Sequence, residues 1–150
     1  MNKLQALFVN DDPSALRSWV QFAKMDLHGV DILQTTKALE AMALIKESPA
    51  LAGLVVDFHL DGGRTGVELI DLCRNEVKKN VEGLLTFIGL VTSTSCAGDY
   101  IAIEKAAIQV GADAVMSTKA PGNWVQAYED KVLQPLQKRA EEILKHLNPV

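Results

Sequence analysis

The chain has 150 residues, of which 48% are hydrophobic and 23% are charged, and these values fit one globular domain with its own core. Its formal net charge of −4 disfavours direct nucleic-acid binding as the main activity, because phosphate backbones are bound by basic surfaces. The two cysteines stand outside any metal-binding spacing, and no apolar stretch approaches the roughly 18 residues that a membrane span needs. We therefore expect a cytoplasmic protein that is not inserted into a membrane.

The first third of the chain contains two strand–helix units. An apolar run at residues 4–9 predicts the first strand, and the next apolar run, at residues 30–34, predicts the second. Thr35 or Thr36 is expected to cap the helix after the second strand. The apolar face predicted for that helix consists of Leu39, Met42, Ala43 and Ile45.

The remaining elements continue the same alternation. In chain order they are a strand at 51–56, a helix at 66–79, a strand at 87–91, a helix at 99–110, a strand at 114–117 and a last helical stretch from Pro121. The third strand is apolar throughout apart from one glycine, which predicts burial on both of its faces. Five successive strand–helix units predict an α/β, doubly wound parallel sheet with helices on both faces.

Polar side chains follow four of the five predicted strands. Asn10 and Asp11 follow the first strand, Asp57 the third, Thr92 the fourth and Lys119 the fifth. Ligands of such sheets bind beyond the carboxyl ends of the strands, so these residues are expected at one rim. Two carboxylates beside phosphate oxygens suit Mg²⁺, and a carboxylate flanked by a cation and an ammonium group can attack phosphorus.

Two acidic residues close in sequence to the candidate site residues are expected to have structural roles and not to bind a ligand. Asp12 is expected to cap the first helix, with Pro13 in its first turn. Asp61 is expected to be a solvated residue of the loop after the third strand.

Taken together, these residues resemble the receiver domains of two-component response regulators (CheY-like). The similarity covers about residues 4–134, and its pieces are VNDDP at 9–13, VVDFHL at 55–60, DGGRTG at 61–66, VTS at 91–93, GAD at 111–113 and Lys119. It implies a flavodoxin-like five-stranded sheet of order 2-1-3-4-5 flanked by five helices. It also implies a signalling module, at most a slow catalyst of its own phosphorylation and dephosphorylation, and not an enzyme.

The resemblance implies a role for each matching position. Asp57 would accept a phosphoryl group from a histidine kinase or histidine phosphotransfer protein, and the change would alter a surface that binds a downstream effector or output domain. Thr92 would reach for the phosphoryl group, and Lys119 would pair with its oxygens. The implied Mg²⁺ ligands are Asp11, Asp57, the backbone carbonyl of His59 and, through a water molecule, Asn10.

Three positions depart from the pattern of the family. Asn10 stands where an acid is usual, which predicts weaker Mg²⁺ binding. The family's lysine is followed at once by proline, whereas Ala120 separates Lys119 from Pro121 here, and one extra residue lies between Gly111 and Lys119. Val115 or Met116 stands in the fifth strand where the family usually has an aromatic residue. These departures keep open a pseudo-receiver that acts as a phosphorylation-independent scaffold. A metal-dependent phosphatase or phosphotransferase with Asp57 as a transient nucleophile is a third alternative, although His59 stands where such an enzyme would need an aspartate two residues after the nucleophile.

We expect the chain to consist of a receiver domain at residues 1–134 and a C-terminal helical extension at 135–150. Pro135 should bend the helix or start a new one. An apolar stripe runs along this segment and consists of Leu133, Leu136, Ala140, Ile143 and Leu147. The stripe could form a homodimer, dock on the receiver domain or continue into an output domain.

Overall fold

A computed structural model describes residues 3–148; residues 1, 2, 149 and 150, at the outer ends of the two predicted units, lie outside the described part. The strands are β1 Leu4–Val9, β2 Val30–Thr35, β3 Leu51–Val56, β4 Asn80–Val81, β5 Leu84–Leu85, β6 Phe87–Thr92 and β7 Ala114–Ser117. The α-helices are α1 Pro13–Asp26, α2 Ala38–Glu47, α3 Gly66–Asp71, α4 Ala97–Gln109, α5 Trp124–Tyr128 and α6 Gln134–Leu147. A 3₁₀ turn covers Asp61–Gly63, and π-helical turns cover Leu72–Glu76 and Glu129–Leu133.

Five strands form one parallel sheet in the order β2-β1-β3-β6-β7, so the predicted fold is confirmed, with β6 and β7 as its fourth and fifth strands. The register aligns the carboxyl ends of the strands: Val9 pairs with Val56 and Thr92 pairs with Ser117. The sequence analysis did not predict β4 and β5, which form a separate two-residue hairpin.

The sheet separates two apolar layers. All six residues of β3 are buried, as the apolar run predicted. Helices α2, α3 and α4 cover one face, where Ile45, Leu69 and Ile103 pack on the sheet. Helix α1 and the C-terminal helical segment cover the other face, where Trp19 and Tyr128 belong to the same cluster. Among the described residues, no helix is long and apolar enough to span a membrane.

The C-terminal helical segment packs closely against the sheet. The apolar stripe is covered by the domain: Leu136, Ala140 and Ile143 are fully buried. The absence of a side chain at Gly53 permits this packing, since a Cβ atom there would lie 2.4 Å from Cδ1 of Leu136. Pro135 has no N–H to donate. It is the second residue of α6, close to the π-helical turn that ends at Leu133, where the α-helical hydrogen-bond pattern is already shifted.

Helix α2 differs from its prediction in both its cap and its buried face. No threonine caps it; Oδ1 of Asp61 accepts the N–H of Ala38 at 2.6 Å. Asp61 is therefore a tertiary cap of α2, and the expectation of a solvated loop residue was wrong. Leu39 is 65% exposed, so the apolar face was also mispredicted. The residues of α2 that are buried are Ala38, Ala41 and Ile45.

Candidate functional site

A cleft of about 220 Å³ lies at the carboxyl ends of β1, β3 and β6. Five of the predicted site residues line it: Asn10, Asp11, Asp57, His59 and Thr92. The cleft is completed by Asp12, Ala15, Trp19, Val91, Ser93 and Thr118. The rim expected from the strand order therefore exists, and it brings together residues that follow four separate strands: β1, β3, β6 and β7.

The backbone around Asp57 holds these loops in register. The N–H of Asp57 donates to the carbonyl oxygen of Val9 at 3.0 Å, which continues the β1–β3 pairing and places the loop after β1 beside the carboxylate. On the other side, α3 begins directly against this segment: a Cβ atom on Gly66 would lie 2.2 Å from the carbonyl oxygen of Asp57. Asp57 is therefore fixed by backbone contacts from both sides.

The Asp57 carboxyl group is electrostatically strained. Burial removes it from solvent and raises its pKa from 3.8 to about 6, and the negative charges of Asp11 and Asp12 contribute in the same direction. The N–H of Phe58, which donates to Oδ1 of Asp57 at 2.8 Å, and the nearby His59 partly oppose this rise in pKa. The repulsion between Asp57 and Asp11 is the kind that a bound cation relieves.

The donor set suits Mg²⁺. No group of three or more His, Cys, Asp or Glu side chains within residues 3–148 is arranged to hold a metal ion. Mg²⁺ needs fewer, because it commonly takes one or two carboxylates and keeps several waters. Asp11 and Asp57 provide two carboxylates, while Oδ1 of the buried Asn10 already accepts the N–H of Asp12 at 2.9 Å. Asn10 can therefore offer only part of its amide oxygen to a metal-bound water.

His59 is exposed at the edge of the cleft, with its ring centroid 4.8 Å from that of Phe58. It forms an isolated antiparallel bridge with Thr65. The hydrogen bonds of this bridge are made by adjacent residues and not by His59 itself: the N–H of Leu60 donates to the carbonyl oxygen of Arg64, and the N–H of Gly66 donates to that of Phe58. The bridge therefore leaves the carbonyl of His59 available as a metal ligand.

Lys119 is not among the described residues that line the Asp57 cleft. It lines a neighbouring cavity of about 190 Å³ between the loop after β6 and the loop after β7. Thr92, in contrast, is 2% exposed and lies in the cleft, where its Oγ1 accepts the N–H of Thr94 at 3.4 Å. The structure thus brings Thr92 to Asp57 and places Lys119 next to the cleft rather than inside it.

Solved structures share this architecture along nearly the whole chain. A response regulator receiver domain protein (CheY-like) from Methanospirillum hungatei is 21% identical, with a TM-score of 0.66, and the match covers 94% of this chain and 99% of that one. The response regulator domain of Thermotoga maritima CheB is 16% identical, with a TM-score of 0.65, and the match covers 93% of this chain and 98% of that one. The chain has the receiver-domain fold.

A third structure with this fold contains a modified residue and bound groups. It is a response regulator protein from Burkholderia pseudomallei with a phosphorylated aspartic acid, calcium ion and citrate; it is 20% identical, with a TM-score of 0.63, over 97% of this chain and 74% of that one. No protein-family model matches the chain, and no curated protein matches it.

Two features of this receiver fold were missed by the sequence analysis. Trp19 is 3% exposed and forms a wall of the Asp57 cleft, where no prediction had placed it. Ser117, at the end of β7, joins the loop that follows Thr92 to the loop that carries Lys119 through its hydroxyl group. A strand-end serine has no local sequence signal that would have indicated this contact.

Proposed function

We propose that this chain is a phosphorylation-switched signalling receiver that accepts a phosphoryl group on Asp57. The observation that carries the proposal is the placement of Asp57 in a cleft shared with Asp11 and Thr92, on a receiver fold. The pKa of Asp57, raised to about 6, still leaves the carboxylate mostly ionised at neutral pH, and an ionised carboxylate is the form that can attack phosphorus.

The transfer step needs no oxidant or further reactant. An Oδ atom of Asp57 attacks phosphorus, the bond from phosphorus to the donor breaks, and the donor atom leaves with the bonding electron pair. For a phosphohistidine donor, the leaving group is the imidazole. The hydroxyl group of Thr92 would donate to a phosphoryl oxygen once the loop after β6 moves inward.

Mg²⁺ is part of this proposal. Its ligands would be the carboxylates of Asp11 and Asp57 and the carbonyl of His59, with Asn10 bonding a metal-bound water. When bound, the cation neutralises the charge of the transferring phosphoryl group. Because Asn10 is uncharged and its amide oxygen already accepts a hydrogen bond, we expect weaker Mg²⁺ affinity than a site with a third acid would have.

The partners follow from the chemistry. A histidine kinase or histidine phosphotransfer protein would supply the phosphoryl group, and a downstream effector or output domain would read the result in the cytoplasm. Helix α4 offers a surface for such a reader, since Ile101 is 63% and Ile108 is 56% exposed. We further propose a receiver unit at residues 1–134, with 135–150 as a helical extension docked on it through buried residues such as Leu136.

A second function is favoured by the position of Lys119. A pseudo-receiver that acts as a binding scaffold would not need its lysine in the Asp57 cleft, and here Lys119 lines the neighbouring cavity. The uncharged side chain of Asn10, where the family usually has an acid, also favours the scaffold. The two proposals differ in one outcome, which is whether Asp57 forms an acyl phosphate.

The experiment is incubation with Mg²⁺ and a small phosphodonor such as acetyl phosphate, followed by intact-mass measurement. The signalling proposal predicts the added mass of one phosphoryl group in the wild-type protein and in the control Asp31→Asn, whose exposed carboxylate lies outside the cleft. It predicts no adduct in Asp57→Asn or after Mg²⁺ is removed by a chelator. An unmodified wild-type protein under all these conditions would favour the scaffold.

A further inference from the structure

The hydroxyl group of Ser117 connects two loops beside the Asp57 cleft. Ser117 is 7% exposed, and its Oγ donates to the carbonyl oxygen of Thr94 at 2.7 Å. The same Oγ accepts the backbone N–H of Lys119 at 3.1 Å. One hydroxyl group therefore links the loop after β6 to the loop after β7.

The two linked loops adjoin the two groups proposed to contact the phosphoryl group. Thr92 is the last residue of β6, directly before the first loop, and lines the cleft. Lys119 lies in the second loop and lines the neighbouring cavity, together with Thr94, Tyr100 and Pro121. The charges that act on the Asp57 carboxyl group are those of Asp11, His59 and Asp12, which agrees with a lysine held outside the cleft.

We propose that Ser117 is a positioning residue that holds Lys119 outside the Asp57 cleft in the resting state, by tying its backbone to the carbonyl of Thr94. The proposal rests on the proposed function of Asp57. It identifies one contact that would open when the backbone of Lys119 moves towards a phosphoryl group. The movement of the Thr92 loop towards that group would displace the carbonyl of Thr94 and open this contact.

Removal of the Ser117 hydroxyl group should favour the arrangement with Lys119 in the cleft, because only the resting arrangement uses that hydroxyl group. In the resting arrangement, the hydroxyl satisfies two backbone groups at a nearly buried position. Removing it leaves the Thr94 carbonyl and the Lys119 N–H without this partner, which costs free energy only where both bonds are made. The equilibrium then shifts towards the arrangement with Lys119 in the cleft, and a ligand that prefers this arrangement binds more tightly.

The test is a titration with beryllofluoride in the presence of Mg²⁺, followed by ¹⁹F NMR. Loss of one net hydrogen bond in the resting state predicts roughly fivefold tighter binding by Ser117→Ala than by wild type. Ser117→Thr keeps the hydroxyl group and should bind as wild type does. Ser95→Ala removes an exposed hydroxyl from the same loop and should also leave the affinity unchanged. In a Lys119→Ala background, Ser117→Ala should give no gain.

A merely structural role for Ser117 would weaken or abolish binding, so a gain that depends on Lys119 separates the two explanations. Unchanged or weaker binding by Ser117→Ala, or the same gain without Lys119, would overturn the proposal. If Ser117→Ala does not fold, Ser117→Cys retains the side-chain size with a much weaker donor, and the same gain is required of it. If wild type itself shows no Asp57-dependent binding, the proposed function fails with this inference; if only the gain is missing, the inference alone fails.

Discussion

The substitution Asp57→Asn should stabilise the metal-free protein at neutral pH. The cleft raises the pKa of Asp57 from 3.8 to about 6, so the folded protein binds this proton more tightly than the unfolded chain does. The free energy of unfolding therefore falls as the pH rises through this interval, and the whole deficit is present above the folded-state pKa. Asparagine has a similar shape and carries no charge, so the deficit disappears.

The size of the effect follows from the shift in pKa. At about 1.4 kcal/mol per pKa unit, the rise from 3.8 to about 6 sets an upper limit near 3 kcal/mol. Asp57 is only partly buried, and solvent screening lowers the expected gain to about 1–2 kcal/mol. For a chain of this length, such a gain raises the melting temperature by roughly 2–8 °C.

The assay is urea unfolding of wild type and Asp57→Asn in the presence of a chelator, at several pH values. The mutant should be more stable at about pH 7.5, and its advantage should shrink as the pH falls towards 4, where both proteins are neutral at this position. Asp31→Asn is the control. The Asp31 carboxylate is exposed, and its ion pair with the exposed Lys3 ammonium group, at 3.9 Å, contributes little to the free energy of unfolding. The reasoning would be refuted if Asp57→Asn were no more stable than wild type at neutral pH. It would also be refuted if the difference in free energy of unfolding between the two proteins were the same at every pH.

Three further predictions concern the cleft, the C-terminal helix and α2. In a Trp124→Phe protein, added Mg²⁺ should change the remaining fluorescence, because Trp19 forms a wall of the cleft; an unchanged spectrum at saturating Mg²⁺ would place the metal elsewhere. Gly53→Ala should cost about 1–3 kcal/mol in urea unfolding, because its methyl group would overlap Leu136; a neutral result would mean that the helix does not pack so closely. Asp61→Ala should cost about 1 kcal/mol and lower the melting temperature, whereas Asp61→Asn, which still accepts the helix N–H, should lose less.

The elements that the sequence predicted well are those with strong local patterns. The strand predicted at residues 51–56 was confirmed at both ends, because an apolar run of that length between a proline and a charged loop has few other solutions. Asp12 was expected to cap α1, and its carboxylate accepts the N–H groups of Ser14 and Ala15. The rim of polar residues was predictable because parallel strands place their carboxyl ends together.

The features that were missed depend on contacts between distant segments. The cap of α2 comes from Asp61, which is 23 residues away from Ala38, so no local pattern could indicate it. The place of Lys119 beside the Asp57 cleft, rather than in it, is associated with the hydroxyl of Ser117 and the loop containing Thr94. The hairpin of β4 and β5 has only two residues per strand, which is too short for an alternating pattern to be recognised.

The most direct test of the account is to locate the phosphoryl group on the chain. After incubation with acetyl phosphate and Mg²⁺, borohydride reduces an aspartyl phosphate to homoserine, and peptide mass spectrometry then identifies the reduced residue. The account predicts homoserine at position 57 and at no other aspartate. Homoserine at Asp11 or Asp12 instead, or no reduced residue at all, would contradict the claim that Asp57 is the carboxylate that this cleft prepares for phosphoryl transfer.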